Sequence, residues 1–256
     1  MTADTALVAP GGWLVLCSAA DASALWVYER LHARGRVPVG LLGVEALTHP
    51  GVRWDHRVGA QGAGTVTITT ADGRVLRSAD IGAVLNRCAS PPVTVIESAE
   101  PADRDYARNE LSAFAASWLR TLSATVVNAP DPHGLCGRWR QPLQWRALAA
   151  RAGMSCAPLR LESTDPDAAL RAATPGEPST TVLAVDGRIL YSGVPGAVQR
   201  ACAALSRLAA TRIVGLRFAG GDPGRAGWRL LDATPYPDLS FAGEAGVAAI
   251  EAALAA

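Results

Sequence analysis

The stretch from Asp131 to Arg146 holds the densest group of side chains capable of chemistry in this chain. Its last 14 residues contain one histidine, one thiol, three arginines and two tryptophans. Arginine and tryptophan bind anionic, planar or peptide partners through forked hydrogen bonds, stacking and cation–π contacts. The stretch therefore predicts a site for a carboxylate, a phosphate or a peptide. Its candidate substrate- or partner-binding residues are His133, Cys136, Arg138, Trp139, Arg140, Gln144 and Arg146.

Two other interpretations of this stretch stay open. Cys136 and His133 could form a nucleophile–base pair, although no asparagine or aspartate partner is identifiable for them. Alternatively, the stretch is a well-packed loop whose arginines bind backbone carbonyls and helix ends. The sequence assigns no catalytic residue.

The basic residues of the chain are all arginines: there are 24 of them and no lysine. A GC-rich genome, whose codons favour arginine, alanine, glycine and proline, accounts for the bias. Whatever its origin, no lysine is available to form a Schiff base, act as a base or hold a phosphate. The net charge of +1 gives no electrostatic case for nucleic acid or an anionic membrane.

The five cysteines show no C-x-x-C spacing, and no secretory signal precedes them. Free thiols in a reducing cytoplasm fit this pattern best. The histidines outside the polar stretch, His32, His49 and His56, form no metal-binding set with cysteines or carboxylates. We expect neither a bound metal nor another cofactor.

The N-terminal part predicts a β-α-β unit, in which residues 13–17 and 37–42 are short buried strands. The helix between them begins at Asp21 or Ser23 and ends at Gly35. This order favours a parallel sheet. Residues 1–12 are expected to form a frayed tail.

The clearest helix spans residues 103–122, because apolar residues recur on one face at spacings of four, three, four and four. Strands are predicted on either side of it, at residues 81–86 and 125–128. Pro142 begins the next helix, which Gly153 ends. The residues expected to face inward are Ala107, Leu111, Phe114, Trp118 and Leu122 in the first helix, and Leu143, Ala147 and Ala150 in the second.

Residues 65–76 and 180–191 each contain an Asp-Gly turn between apolar runs, which predicts two β-hairpins. Further elements are a helix at 195–210, strands at 213–218 and 228–232, and a last helix at 243–256 with Val247, Ile250 and Leu254 inward. Residues 165–179, rich in proline, aspartate and glycine, mark the best internal boundary. The predicted division is an α/β domain at 1–130, a linker loop and helix at 131–165, and a C-terminal domain at 166–256.

Three groups of segments carry a family resemblance. They are residues 82–87 (GAVLNR), 103–106 (DRDY), Glu110 and Trp118; then 126–130 (VVNAP), 139–144 (WRQPLQ) and 152–153; then 215–218 (GLRF) and 230–238 (LLDATPYPD). In this order they resemble the N-terminal domain, linker and C-terminal strands of ATP-grasp ligases. The subgroup that modifies ribosomal peptides, related to the ribosomal-protein glutamate ligase, is the most similar.

The resemblance implies an α/β fold: a parallel-sheet N-terminal pre-ATP-grasp-like domain followed by a truncated α+β ATP-grasp-like C-terminal domain. It also places Arg87, at the end of a predicted strand, toward the same crevice as the polar stretch, because α/β sites form beyond the carboxyl ends of strands.

The departures from the family concern the nucleotide first. Gln141 stands where the family has a lysine just before Pro-x-Gln. Between Leu161 and Thr180, a short Pro/Gly/Asp-rich connection replaces the two strands whose lysines hold the nucleotide phosphates. Phosphates need backbone amides or cations as a cradle, and no Gly-rich loop leading into a helix stands beside an arginine here. We therefore expect no ATP site of the family's kind.

The metal positions depart as well. The family holds magnesium through an aspartate on one strand and a glutamate and an asparagine, one residue apart, on the next. The resemblance puts Arg217, Asp232 and Thr234 at these degenerate metal positions. A cation among metal ligands adds repulsion where attraction is needed. We predict that Arg217 pairs with Asp232 in place of the metal, with an ordinary surface salt bridge as the alternative.

Together these features predict a catalytically degenerate ATP-grasp-like protein, a pseudoenzyme that acts as a peptide-binding or partner-enzyme scaffold in ribosomal peptide modification (RiPP biosynthesis). One alternative is an active enzyme with altered chemistry on a small anionic or peptide substrate. Another is an ATP-dependent carboxylate–amine ligase in which arginine replaces lysine. The expected partner is a peptide or a partner enzyme, not nucleic acid or a membrane, and a homodimer is compatible with the sequence.

Overall fold

The computed structural model describes residues 5–35, 38–59, 64–90, 100–122, 124–158, 179–220 and 227–256. The chain divides into two compact units. The first combines Met1–Arg138 with Glu251–Ala256, and the second comprises Trp139–Ile250. The first unit thus extends past residue 130, where the sequence predicts its end. The predicted boundary at residues 165–166 lies outside the described residues.

The described strands and helices follow one another along the chain in an alternating order. The strands are β1 (Gly12–Cys17), β2 (Val39–Gly43), β3 (Arg53–Val58), β4 (Gly64–Thr69), β5 (Val75–Arg77), β6 (Ile81–Arg87), β7 (Thr125–Val127), β8 (Ser179–Val185), β9 (Arg188–Ile189), β10 (Ile213–Ala219) and β11 (Arg229–Thr234). The helices are α1 (Ala22–Arg34), α2 (Pro101–Thr121), α3 (Pro142–Arg151), α4 (Gly196–Leu208) and α5 (Gly243–Leu254).

A parallel sheet in the order β2-β1-β6-β7 organises the first unit. Helix α1 connects β1 to β2, which confirms the predicted β-α-β opening. The Asp21 carboxylate accepts a hydrogen bond from the Ala24 N–H and so caps α1. Gly35, at φ 62°, ends the helix in the left-handed conformation that glycine adopts without strain.

A three-stranded antiparallel sheet, β3-β4-β5, completes the first unit. The expectation of a frayed tail is wrong for the residues that follow the undescribed first four. The Leu7 N–H donates to the Val75 oxygen, the Val75 N–H donates to the Thr5 oxygen, and Val8 is buried. The early segment thus covers the edge of β5, whose backbone groups would otherwise lack partners.

Helix α2 packs over the core that both sheets of the first unit share. Trp118 is buried, and its ring stands edge-on at 5.3 Å from Trp54 of β3. Phe114 packs against the same Trp54 ring at 4.8 Å. The predicted inward face is confirmed at its C-terminal end, whereas Ala107 and Leu111 are half-buried.

The second unit is built on an antiparallel sheet in the order β11-β10-β8-β9. The predicted hairpin between β8 and β9 is confirmed. Its turn residues Asp186 and Gly187 both have positive φ, 47° and 77°, as the tight turn of a two-residue hairpin requires. One face of the sheet, with Val182, Leu216 and Phe218, shares a core with α3 and α4.

Helix α3 confirms the predicted start at Pro142, but its predicted inward face is wrong. Leu143 is 54% exposed, and Ala147 and Ala150 are exposed too, whereas Trp145 is 2% exposed. The residues that pack inward are Trp145, Leu148, Ala149 and Ala152. Their spacing of three, one and three is the better helical stripe, and it buries the largest side chain of the helix.

Helix α5 carries Val247, Ile250 and Leu254 as buried residues, as predicted. Residues 251–256, at its C-terminal end, belong to the first unit, where the Arg34 guanidinium lies 2.8 Å from the Glu251 carboxylate. No helix among the described residues is long and apolar enough to cross a lipid bilayer.

Candidate binding site

Arg87 ends β6 at the carboxyl edge of the parallel sheet, and it is only 3% exposed. Its Nε lies 2.8 Å from Oδ2 of Asp21, and its Nη2 lies 3.4 Å from Oγ of Ser23. Strand β1 has β2 on one side and β6 on the other, so the strand order reverses at β1. In open α/β sheets, ligands bind beyond the carboxyl ends of the strands at such a reversal. Here the Arg87–Asp21 pair fills that place, so the guanidinium predicted to face a partner is buried against the start of α1.

Cys136 lies beside the same edge and is fully buried. Its thiol donates to the backbone oxygen of Asn86, with sulfur and oxygen 2.9 Å apart. The Asn86 side-chain amide donates to the backbone oxygens of Asn128 and Leu135, which holds the loop after β7 against β6. Burial raises the pKa of the Cys136 thiol to about 12. A thiol in this state is a packing element rather than a nucleophile.

His133 and Arg138 lie around the carboxylate of Asp131 at the surface. The His133 ring nitrogen Nδ1 and the Arg138 Nε are 3.0 and 4.0 Å from the Asp131 Oδ1. Partial burial alone would raise the pKa of Asp131, but hydrogen bonds from His133 and the charge of Arg138 outweigh it and lower this pKa. In the described part of the chain no hydrogen bond joins His133 to Cys136, so the predicted nucleophile–base pair is not assembled.

Arg140 and Arg146, in the second unit, both bind backbone carbonyls. An Arg140 Nη2 donates to the Ala209 oxygen at the end of α4 over 2.8 Å, and the same guanidinium lies 5.1 Å from the centre of the Trp145 ring. Arg146 donates to the backbone oxygens of Ala157 and Leu231. These contacts agree with the alternative interpretation of the polar stretch, in which its arginines bind backbone carbonyls and helix ends.

Gln144 and Trp139 differ in how far they are engaged. The Gln144 side-chain oxygen accepts the Gln141 N–H over 2.9 Å, in a reciprocal cap at the start of α3. Trp139 is 45% exposed. Of the predicted binding residues, His133, Arg138, Trp139 and Gln144 are exposed, and the other predicted residues are half-buried or buried.

The face of the second unit's sheet that lies away from α3 and α4 carries the positions of the predicted degenerate metal site. Arg217 of β10 is directly opposite Asp232 of β11 and, on its other side, opposite Thr181 of β8. Directly opposite residues project from the same face, with Cβ atoms about 4.5–5.5 Å apart. A hydroxyl, a guanidinium and a carboxylate therefore form one row across three strands.

Arg217 is exposed, and Asp232 and Thr234 are half-buried. Although Arg217 and Asp232 are neighbours across the ladder, no ion pair joins them among the described residues. The Asp232 Oδ1 accepts the N–H of Ala233 over 2.8 Å instead, beside a bulge that shifts the register after Arg217. The Thr234 hydroxyl accepts the Tyr236 N–H over 3.1 Å.

These three residues do not fit a magnesium ion. Mg²⁺ needs near-octahedral oxygen ligands, usually with one or two carboxylates. The row offers one carboxylate, already engaged by a backbone N–H, beside a fixed positive charge. Nowhere in the described ranges do three His, Cys, Asp or Glu side chains come together as a metal would require. The predicted absence of the phosphate-binding strands falls on residues 159–178, outside the described part of the chain.

The site residues predicted from the sequence do not include Asp21, Asn86 or Thr181. Asp21 lies after a strand and just before a helix. Its role as a helix cap is enough to explain an aspartate at this position, so the local sequence does not indicate the ion pair with Arg87. Thr181 becomes visible only through the register of β8 against β10, because 36 residues of chain separate Thr181 from Arg217.

Solved structures share the fold of this chain over nearly its whole length. The macrocyclase MdnC from Microcystis aeruginosa MRC, bound with the precursor peptide MdnA, superposes with a TM-score of 0.72 at 12% identity, covering 96% of this chain and 100% of that one. The ATP-grasp ligase PsnB, complexed with the precursor peptide PsnA2 and AMPPNP, gives 0.62 at 18% identity, covering 96% and 99%.

A RiPP-associated ATP-grasp ligase from Chryseobacterium gregarium, in complex with ADP and a leader and core peptide, gives a TM-score of 0.64 at 10% identity, covering 94% of this chain and 96% of that one. No protein-family model and no curated protein sequence matches the chain. The fold is therefore ATP-grasp-like, as the sequence motifs predict.

Proposed function

We propose that this ATP-grasp-like chain is a peptide-binding protein, or a scaffold for a partner enzyme, in ribosomal peptide modification, and that it lacks standard ATP-dependent ligase activity. The proposed lack of ligase activity rests on one observation. Arg217 is exposed on the sheet face away from α3 and α4, at the position where the family resemblance expects a metal-binding aspartate, directly opposite Asp232. A fixed guanidinium opposes a divalent cation at that place.

The solved structures described above support the peptide half of the proposal, because all three hold precursor, leader or core peptides. In this chain Trp139 and Arg138 offer a partner an exposed indole and an exposed guanidinium. All five cysteines are free, which supports the cytoplasm as the proposed location.

An active enzyme built on the Cys136–His133 pair is less well supported, since the thiol is buried and the imidazole lies on Asp131. A ligase with arginines in the lysine roles would need cations around the phosphates. Of the three described arginines of the polar stretch, Arg140 and Arg146 are instead engaged with backbone carbonyls, and Arg138 lies beside the Asp131 carboxylate.

A thermal-shift titration with Mg-ATP tests the proposal, because a ligand that binds only the folded state raises the melting temperature by mass action. We expect no shift at millimolar Mg-ATP. A rise of several degrees that disappears in Asp232→Asn would overturn the proposal and restore a ligase. Asp238→Asn, at an exposed position after β11, is the matched control for loss of one carboxylate.

A further inference from the structure

A small cavity lies in the second unit, at the far end of its sheet from Arg217. Its volume is about 220 Å³, and it is bordered by the β8–β9 turn, the last turn of α4 and the loop that leads into β10. Strand β8 runs from Thr181, opposite Arg217, to Val185, opposite Ile213. At a rise of about 3.3 Å per residue, the strand ends beside the cavity lie about 13 Å along β8 from that row. The cavity is therefore separate from the site described above.

Two arginines line the cavity, and they differ in what they bind. The Arg212 guanidinium holds the Asp186 carboxylate through two hydrogen bonds, Nε to Oδ1 and Nη2 to Oδ2, each 2.7 Å long. This forked pair forms a fixed wall without net charge. Arg207 is exposed, and no carboxylate of the described residues forms an ion pair with it. Two guanidinium charges and one carboxylate charge leave the cavity with a single net positive charge, at Arg207.

Two buried hydroxyls on the inner wall can only accept hydrogen bonds from a ligand. Ser206 and Thr211 are 4% and 3% exposed. The Ser206 hydroxyl donates to the backbone oxygen of Thr211 over 2.9 Å, and the Thr211 hydroxyl donates to that of Ala209 over 3.0 Å. Each hydroxyl has one proton, which is thus already used, while its oxygen keeps lone pairs. A ligand with an N–H group complements this wall.

We propose that this cavity binds the C-terminal residue of a peptide or a free N-acylated amino acid, whose carboxylate binds Arg207 and whose N–H donates to the hydroxyl oxygen of Ser206 or Thr211. Both sources present the same chemistry, namely one carboxylate, one neutral N–H donor and a small body. The cavity has the volume of about seven water molecules at about 30 Å³ each, which admits one residue with a small side chain. This site goes beyond the proposed function and does not depend on it.

Two features of the cavity favour a carboxylate over a phosphate group. Asp186 repels a second negative charge, while only one net positive charge is present to attract it. The cavity also lies at the C-terminal end of α4, where the helix dipole is negative and opposes a doubly charged anion more than a singly charged one.

Titration of the ¹⁵N-labelled full chain with N-acetylalanine, followed through the chemical shifts of the backbone amides, tests this proposal. We expect the amides of Gly187, Ala210 and Thr211 to shift and to saturate at millimolar concentration. N-acetylalaninamide has the same body and no carboxylate. It should bind about tenfold more weakly or worse, because it lacks the hydrogen bond to a charged group. Equal affinity for both compounds, or no shift at these three amides, would overturn the proposal.

Arg207→Gln removes the cation that binds the carboxylate and should weaken the binding of N-acetylalanine about tenfold or more. Arg207→Lys should retain part of the affinity, because it keeps the charge and loses the fork. Arg200→Gln is the matched control, since Arg200 is an exposed arginine of the same helix whose Nη1 lies beside Gly196 at the other end. Equal losses in Arg207→Gln and Arg200→Gln would reduce the effect to net charge and contradict the assignment.

Asp186→Asn should change the affinity in the opposite direction. Position 186 has a φ of 47°, and Asn-Gly is a preferred pair for such a hairpin turn, so the fold should be kept. The variant releases the Arg212 guanidinium from this carboxylate and should bind N-acetylalanine several-fold more tightly. Inorganic phosphate, a weak competitor in the wild type, should compete at lower concentration in the variant. Unchanged affinities for both anions would place the ligand away from this pair and sink the proposal.

Chain length separates the two sources of the ligand. N-acetyl-tetraglycyl-alanine ends in the same residue as N-acetylalanine and continues as a peptide. Equal or tighter binding of this peptide assigns the cavity to a peptide C-terminus, whereas weaker binding assigns it to a free N-acylated amino acid. The same peptide with an amidated C-terminus should lose the affinity in either case. Full affinity of the amidated peptide would show that the carboxylate is not recognised, against the proposal.

Discussion

The Nε of Arg87 lies 2.8 Å from Oδ2 of Asp21, and both side chains are at most 5% exposed. This ion pair joins the end of β6 to the first residue before α1. Removing one partner of such a pair leaves the other charge buried, which costs about 3–5 kcal/mol.

We therefore expect Arg87→Met to lower the free energy of unfolding by about 3–5 kcal/mol, measured by urea denaturation. The double variant Arg87→Met/Asp21→Asn should lose less free energy of unfolding than the two single variants together, because it leaves no buried charge without its partner. Arg57→Gln, at the exposed pair with Asp55, is the control and should be neutral within error. Additive losses in the double variant would show that the pair is not coupled.

Glu45 gives the fold a defined acid dependence. Burial alone would raise its pKa, but hydrogen bonds from the Ser18 hydroxyl and the Ala19 N–H outweigh this and hold the pKa below the ordinary value of 4.5. Because the folded pKa lies below the unfolded one, the stabilisation is present above the unfolded pKa and is lost as the pH falls through the folded pKa.

Urea unfolding at a series of pH values from about 6 down to about 3 measures this effect. The free energy of unfolding of the wild type should fall more steeply on the acid side than that of Glu45→Gln. Ser18→Ala should give an intermediate slope, since it removes one donor and leaves the carboxylate. Identical slopes for wild type and Glu45→Gln would show that these hydrogen bonds do not stabilise the ionised form.

The cysteines should differ in reactivity in the order of their burial. Burial raises the pKa of Cys136 and of Cys202 to about 12, whereas Cys156 is half-buried. Iodoacetamide at mildly alkaline pH should label Cys156 first and reach Cys136 and Cys202 only after unfolding. Peptide mapping by mass spectrometry reads the order. Rapid labelling of Cys136 in the folded chain would restore its candidacy as a nucleophile.

The orientation of α3 is testable with one pair of alanine substitutions. Trp145→Ala removes a buried ring and should destabilise the chain by about 3–5 kcal/mol. Leu143→Ala removes an exposed side chain from the same helix and should change little. Urea denaturation of both variants compares them directly. A larger loss for Leu143→Ala would mean that the face predicted from the sequence is the buried one.

Local signals in the sequence were sufficient for most of the secondary structure. Asp21 and Gly35 mark the ends of α1, and the Asp186-Gly187 turn fixes the β8–β9 hairpin, because capping and positive φ depend on neighbouring residues only. The buried face of α3 is not predicted correctly because alanine gives a weak apolar signal, so Leu143 outweighs the stripe that begins at Trp145.

The candidate site was less predictable, because it depends on contacts between distant parts of the chain. The Arg87 side chain is the clearest example: its type and position after a strand predict a ligand-facing cation, yet Asp21, 66 residues earlier, binds it. The row that contains Arg217 depends in the same way on strand register, which no local pattern specifies.

The Arg34–Glu251 contact joins residues 217 positions apart in the sequence. Glu251 belongs to the first unit, although it follows the whole second unit along the chain. During synthesis on a ribosome, α1 must therefore wait for its partner until more than two hundred further residues have been made. The first unit reaches its final packing only after translation of the second, so a chain released early would expose part of the first unit's surface to chaperones and proteases.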